Sequence, residues 1–393
     1  MTRLRVLTLT GATLLCLAIT TGCRPPEPEE ASHSAAPYSD PRPAPSVPPP
    51  SLTPTEVSLP APKAPGAPTH RMEIAWSLGT AAEGLATHPS GESFYIKGFN
   101  GLAHVDAEGR PIEEIMGPPD FDPAGGPVSL GMEQLVRVAQ LDGDTRPEFI
   151  VFGSWGQTVS AVDDDGEGLW VYPGPDTGTD DVWVADLDGD GEDEIIIGYN
   201  GSGGLHVVES DGEGQWADTS IGNCWHVVAG DYDDNGTVEV LSTSAKPQIS
   251  VYEPGGTPDA LLDLGLMPNM VRVVHRGERS PVLVGAGHSM MADSVAFGMT
   301  HGGSAAWVVS FPAGRFGHLS EAMPALDRPW VAMADMGGGV VVLDAESGSV
   351  IAESPPGFVA GGGLAWLSPP DEPDPILVAA SDHGEAKGFR IVP

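Results

Sequence analysis

Three stretches of this 393-residue chain carry one pattern at a fixed spacing: Leu135–Gly153 (LVRVAQLDGDTRPEFIVFG), Val182–Gly198 (VWVADLDGDGEDEIIIG) and Trp225–Leu241 (WHVVAGDYDDNGTVEVL). Aligned on Gln140, Asp186 and Asp231, they step by 46 and 45 residues. Each reads as an apolar strand, an acidic turn and a second apolar strand. A further hairpin follows, seen in Val159–Tyr172 and Leu205–Trp216, both built on Asp-Gly-Glu-Gly with a Trp at the same offset. Four strands recur per unit, and a fixed period of this size marks a repeat architecture.

The same rhythm continues without the acidic turn through Gly84–Met116, Met270–Ser310, Glu321–Glu353 and Gly363–Val392, making seven units. Residues 71–393 divided among seven units allow about 46 residues each, the size of a four-stranded blade. The fold this predicts is all-β, a seven-bladed β-propeller of four-stranded antiparallel blades. The last unit shows only three strands, and Arg71–Leu78 (RMEIAWSL) is expected to supply its outer one, closing the ring so that no edge stays unpaired. A pair of β-sandwiches gives no reason for the period.

Ahead of this domain the chain changes character twice. Arg3 and Arg5 precede the apolar run Val6–Ile19, too short to span a bilayer, which needs about 20 residues. Residues 1–22 therefore read as a signal peptide, and Gly22-Cys23 resembles the lipobox of bacterial lipoproteins, which implies that Cys23 becomes the lipidated mature N-terminus. Thr20 departs from that pattern, and ordinary cleavage without lipid is the competing reading. Residues 23–70 follow as a Pro-rich linker, expected to be disordered: Arg24–His70 holds 15 Pro in 47 positions. Of three cysteines, Cys16 leaves with the signal and Cys23 is the lipid candidate, so Cys224 has no intrachain partner.

Charge excludes one class of partner. With 18 Lys and Arg against 55 Asp and Glu, the net charge is −37, which argues against nucleic acid and against an anionic membrane surface. The membrane is expected to be reached only through the N-terminal lipid.

The acidic turns carry the strongest chemical signal. Asp186, Asp188, Asp190, Gly191, Glu192 and Glu194 space alternate oxygens around a tight bend, with Glu192 contributing its carbonyl. Asp231, Asp233, Asn235, Gly236, Thr237 (by its carbonyl) and Glu239 repeat the set. The weaker copy has Gln140, Asp142, Asp144 and Glu148, with Thr145 where the bend wants Gly, so little or no binding is expected there. Hard oxygen donors in this number suit Ca²⁺. The competing reading is a set of solvated acidic hairpins, because Asp and Gly favour turns without any ion.

On these residues the chain resembles the FG-GAP or VCBS repeat propellers, which include the integrin α-subunit head. VADLDGDGEDEIIIG and AGDYDDNGTVEVL carry the likeness, VAQLDGDTRPEFIVFG is a degraded copy, and Phe152-Gly153 echoes the FG element. The resemblance implies a calcium loop between the first two strands of three blades, with a structural role for the ion.

Catalytic patterns are scarce. Cys224 and His226 share one face of a first strand, expected to line the central channel, where a nucleophile pair or soft-metal site competes with simple packing. His288, His301 and His318 fit no metal spacing and read as satisfied loop histidines. Trp170, Trp183, Trp216, Trp225, Trp307 and Trp366 read as inter-blade packing. The function expected is a non-enzymatic, lipid-anchored, calcium-stabilised propeller of the bacterial cell envelope, at the outer membrane or cell surface, binding a protein or glycan through one face. A periplasm-facing scaffold lipoprotein for outer-membrane assembly, or a propeller enzyme such as a lyase or quinone-dependent dehydrogenase, is the alternative.

Overall fold

The computed structural model describes residues 43–47, 52–79, 84–98, 101–115, 134–144, 146–153, 158–166, 168–276, 279–288, 294–300, 305–311, 319–326, 328–335, 338–370, 372–381 and 384–393. The signal peptide, Cys23, Thr145, His301 and His318 lie outside the described residues. The described residues form seven sheets, one per expected unit, each built on four antiparallel strands, with a fifth strand added to one of them. Blade 1 holds Gly84–Thr87, Ser93–Gly98, Gly101–Asp106 and Pro111–Ile115, and blade 2 holds Gln134–Ala139, Glu148–Gly153, Thr158–Val162 and Gly168–Pro173. Blade 3 runs Thr179–Ala185, Glu194–Tyr199, Gly204–Val208 and Gly214–Asp218, and blade 4 runs Cys224–Gly230, Glu239–Ser244, Gln248–Tyr252 and Pro258–Asp263. Met267–Arg276, Arg279–His288, Ser294–Thr300 and Ala305–Phe311 make blade 5, while Leu319–Pro324, Trp330–Asp335, Val340–Asp344 and Val350–Glu353 make blade 6.

Blade 7 combines Ala360–Leu367, Ile376–Ser381 and Ala386–Val392 with Arg71–Leu78, which pairs antiparallel from Arg71↔Val392 to Leu78↔Ala386. The N-terminal strand thus closes the ring, as expected. First strands of successive blades pack against one another all the way round, blade 7 against blade 1, and so line the centre.

Propeller blades are sandwiched between neighbours, so their middle strands are apolar on both faces and not alternating. Glu194–Tyr199 (EIIIGY), Trp330–Asp335 and Ile376–Ser381 are buried at every position. The outer strand Pro111–Ile115 is exposed except at Ile115. Among the described residues the core divides into seven hydrophobic clusters, one in each seam between blades.

Four of these seams share a clasp. The indole N–H of Trp76, Trp170, Trp216 and Trp307 on the outer strand of one blade donates to the carbonyl of Ala107, Ser210, Pro254 and Ala345 in the last hairpin turn of the next, at 2.6–2.9 Å. Each ring lies flat on a turn glycine, as Trp170 does on Gly212 (φ 89°), where a Cβ would fall 2.8 Å from the indole. This is why Asp-Gly and Trp recur together: the glycine takes the left-handed turn conformation and clears the space for the neighbouring ring. Trp366 reaches inward instead, to Met323 O in blade 6.

The Pro-rich segment departs from expectation. Residues 43–47 and 52–70, read above as part of a disordered linker, run extended along the outer strands of four successive blades. Val47 N donates to Ala217 O in blade 3 and Val57 N to Asp263 O in blade 4, at 2.7 and 2.8 Å. Thr55–Glu56 adds a parallel fifth strand to blade 4, and Lys63 bridges Val309 of blade 5. His70 N donates to Ile351 O of blade 6 at 2.8 Å, and the chain then enters blade 7. Proline is at home here because an outermost strand has one edge facing solvent, where a missing N–H costs nothing. Val57 is 5% exposed and joins the seam between blades 4 and 5, anchoring the strap by burial as well as by hydrogen bonds.

Candidate functional site

The acidic turns of blades 2, 3 and 4 connect first to second strands and therefore lie side by side on one face of the ring. In blade 3, Asp186 Oδ1 accepts from Gly189 N at 2.6 Å and its Oδ2 from Gly191 N at 3.1 Å. Asp188 Oδ1 accepts from Asp190 N and Asp190 Oδ1 from Glu192 N, at 3.2 and 2.9 Å. Glu194, at the start of the second strand, is 2% exposed and reaches back to accept from Leu187 N at 2.7 Å. Glu192 directs its carboxylate to Ser210 Oγ, from which it accepts a hydrogen bond, and its side chain is not part of the converging trio.

Blade 4 repeats this geometry. Asp231 accepts from Asp234 N and Gly236 N at 2.7 and 2.9 Å, Asn235 Oδ1 accepts from Thr237 N at 2.7 Å, and Glu239 Oε2 accepts from Tyr232 N at 3.0 Å. Asp233 Oδ1 accepts from Asn235 N at 3.1 Å. In blade 2, Leu141 N donates to Glu148 Oε2 at 2.6 Å and Asp144 N to Asp142 Oδ1 at 3.0 Å. Gln140 serves a different purpose: its backbone is clasped by Asp193 of blade 3, with N···Oδ2 2.8 Å and O···N 2.7 Å.

Three sets of carboxylate oxygens converge within 4.8 Å of one another: Asp142, Asp144 and Glu148; Asp186, Asp188 and Glu194; Asp231, Asp233 and Glu239. Asp190 does not join its trio at that distance. The blade 2 trio, expected to be the weak copy, converges like the others. Burial pushes Glu148, Glu194 and Glu239 each up to about 7, and neighbouring carboxylates add to the rise while backbone N–H groups oppose it. Carboxylates held this close, one of them buried, demand a compensating positive charge, either a proton or a cation. All donors are hard oxygens, so the residues fit Ca²⁺. Asp163, Asp164 and Asp165 in the last turn of blade 2 form a further acidic group, with Arg146 paired to Asp164. Blade 5 carries Arg276 and Arg279 at the same end, paired with Glu346.

The channel wall holds a network with no motif. Asp181 (blade 3) lies 2.5 Å from His226 Nδ1 (blade 4) and 3.3 Å from Arg137 Nη2 (blade 2), and accepts from Val227 N at 3.2 Å. Arg272 of blade 5 donates to His226 Nε2 and stacks 4.5 Å over Trp183. Burial alone would raise Asp181, but His226 and the two guanidiniums hold it well below the usual carboxylate range. Burial and then Arg272 lower His226, so the imidazole is neutral, its Nδ1–H given to Asp181. Cys224 is fully buried and its thiol is pushed up by burial, which keeps it protonated and ill suited to be a nucleophile. The only sequence signal was register: Asp181 and His226 each stand five residues before Asp186 and Asp231.

Comparison with known proteins agrees with this architecture. The family model for the Lambda-carrageenase beta-propeller domain matches residues 149–221, from the second strand of blade 2 to the end of blade 3. No curated protein matches the chain. Among solved structures, BBS1N in complex with ARL6DN, from a mercury-soaked crystal, superposes with a TM-score of 0.56 at 14% identity, covering 82% of this chain and 97% of that one. Its lead-soaked counterpart gives 0.55 at 15% identity over the same shares. BamB from Moraxella catarrhalis gives 0.46 at 15% identity, covering 78% of this chain and 82% of that one. The chain is thus a β-propeller protein.

Proposed function

We propose that this protein is a non-enzymatic interaction module of the bacterial cell envelope, exported and anchored through lipid on Cys23, and stabilised by Ca²⁺ in the turns of blades 2, 3 and 4. The reading rests above all on the three converging trios, each with one glutamate that burial, helped by neighbouring carboxylates, pushes up to about 7. A cation there offsets repulsion within a chain of net charge −37 and fixes the first hairpin of each blade. A protein partner is supported by the BBS1N propeller, whose crystal structure is a complex with ARL6DN.

Calorimetric titration of the purified protein with Ca²⁺, alongside thermal unfolding with and without chelator, tests the reading. Binding should raise the melting temperature, since an ion at a hundredfold its dissociation constant stabilises by about 2.7 kcal/mol per site. Asp188→Ala and Asp233→Ala should each remove one site. No heat and no shift would leave the turns as solvated hairpins.

A further inference from the structure

On the face opposite the acidic turns, where first strands begin, blades 3, 4, 5 and 6 share an irregularity, the last between Leu319↔Asp335 and Glu321↔Ala334, and the first strand of blade 7 is also irregular between Ala360 and Leu364. In blade 3 the register passes from Thr179↔Tyr199 to Asp181↔Gly198, leaving Asp180 as an extra residue. In blade 4 it passes from Cys224↔Ser244 to His226↔Thr243, leaving Trp225. In blade 5 it passes from Pro268↔Gly287 to Met270↔Ala286, leaving Asn269. In blades 3, 4 and 5 the bulges stand at equivalent places on innermost strands that pack against one another, which sets Asp180, Trp225 and Asn269 side by side at one end of the channel. Bulges re-aim side chains and recur beside ligand sites.

In blades 3, 4 and 5 the bulged residues are a carboxylate, an indole and an amide. Asn200 Nδ2 donates to both oxygens of Asp180 at 3.2 Å, and Asn269 Nδ2 donates to His288 Nε2 at 2.9 Å. Trp225 differs from the other described tryptophans. Trp76, Trp170, Trp216, Trp307 and Trp366 each give their N–H to a backbone carbonyl, while Trp183 lies under Arg272 and Trp330 under Arg328. Half-buried Trp225 has no such partner among the described residues and belongs to none of the seam clusters. Directly beneath, one residue beyond two of the bulges, Asp181 and His226 lock the strands together, so the sector is held rigid before any ligand arrives.

We propose that this sector of the channel mouth binds a neutral oligosaccharide, with the Trp225 indole stacking on a pyranose ring and the Asp180–Asn200 and Asn269–His288 pairs exchanging hydrogen bonds with its hydroxyls. The inference deepens the interaction-module reading and rests on it. A flat apolar face flanked by paired donors and acceptors matches a sugar, which is apolar across its ring and ringed by hydroxyls. The net charge of −37 disfavours sulfated or uronic-acid chains.

The test is to screen the labelled full-length protein on an array of neutral hexose and pentose oligosaccharides, including cellohexaose and maltohexaose, and to titrate the strongest binder by calorimetry and tryptophan fluorescence. Trp225→Ala is expected to weaken binding at least tenfold and Asp180→Asn severalfold, while Glu114→Gln on the outer rim of blade 1 changes nothing. Should Trp225→Ala fold poorly, Trp225→Phe is expected to keep measurable affinity and lose the fluorescence change seen on saturation. A silent array, or affinity unmoved by Trp225→Ala in a folded variant, overturns the proposal. Capture of a peptide and no sugar does so equally. Because Ca²⁺ binding is measured separately on the opposite face, a silent array with an intact calcium response sinks this inference alone.

Discussion

His206 shows how one side chain in a blade core couples stability to pH. It is 7% exposed, accepts from Tyr172 OH at 2.9 Å through Nδ1 and donates from Nε2 to Gly203 O at 3.1 Å, an arrangement only the neutral ring can make. Burial pushes its pKa down to about 4 from 6.5. The unfolded chain therefore binds the proton first, so His206's contribution is present above pH 6.5 and is lost as the pH falls toward 4. At about 1.4 kcal/mol per pKa unit the loss comes to about 3 kcal/mol across the window. Urea unfolding of the parent protein and of His206→Gln at pH 7 and pH 4 should show the difference between them shrinking by that amount; parallel pH profiles would refute it. The site was legible at this scale where chemistry needs a fixed spacing. Asp186, Asp188 and Glu194 converge as their alternation implied, while the Glu192 carboxylate accepts from Ser210 Oγ. Asp181 with Arg137, His226 and Arg272 was not legible, because its members come from four blades.

Among the elements, the outer strands and the strap upon them diverge most from what composition suggests. Fifteen prolines in 47 residues read as a free tether, yet the valines between them find a groove. Pro45 O accepts from Ala217 N while Val47 N donates to Ala217 O, so the strap pairs through whichever groups proline leaves available. Lys63 is tied at both N and O to blade 5, which leads to a direct test. Trypsin should leave the Lys63–Ala64 bond intact in the folded protein, whereas a free tether is cut at once. Val57→Asp, which places a carboxylate in the seam between blades 4 and 5, should expose that bond and cost about 2–4 kcal/mol in thermal unfolding. The clasping tryptophans, by contrast, were readable as inter-blade packing, because Trp170 and Trp216 keep the same offset from their own turn glycines. Trp183 also packs between blades, against two seams and under Arg272 of blade 5, but without the clasp, because it sits on a first strand away from the hairpin turns; Trp225 joins no seam cluster among the described residues.

At the scale of the whole molecule, the ring is closed by the strand that follows the strap and the last strand described. Arg71–Leu78 pairs with Ala386–Val392, and Trp76 of that same strand clasps Ala107 of blade 1. A chain beginning at residue 79 should leave blade 7 with three strands and an open edge. The expected outcome is aggregation by light scattering and loss of a single cooperative unfolding transition. A stable, monodisperse truncated protein would show that closure does not depend on this pairing.

What the amino-acid sequence determined by itself was whatever repeats: blade number, four strands to a blade, the closing strand and the spacing of the acidic turns. A repeat prints the same local instruction at every period, so its signal accumulates along the chain. The tertiary structure alone decided which prolines lie on which outer strand, which charges meet between first strands, and which first strands bulge, as at Asp180, Trp225 and Asn269. Those outcomes depend on groups about 45 residues apart meeting across a seam, where the closeness of two blades, and not the pattern within either, sets the energy.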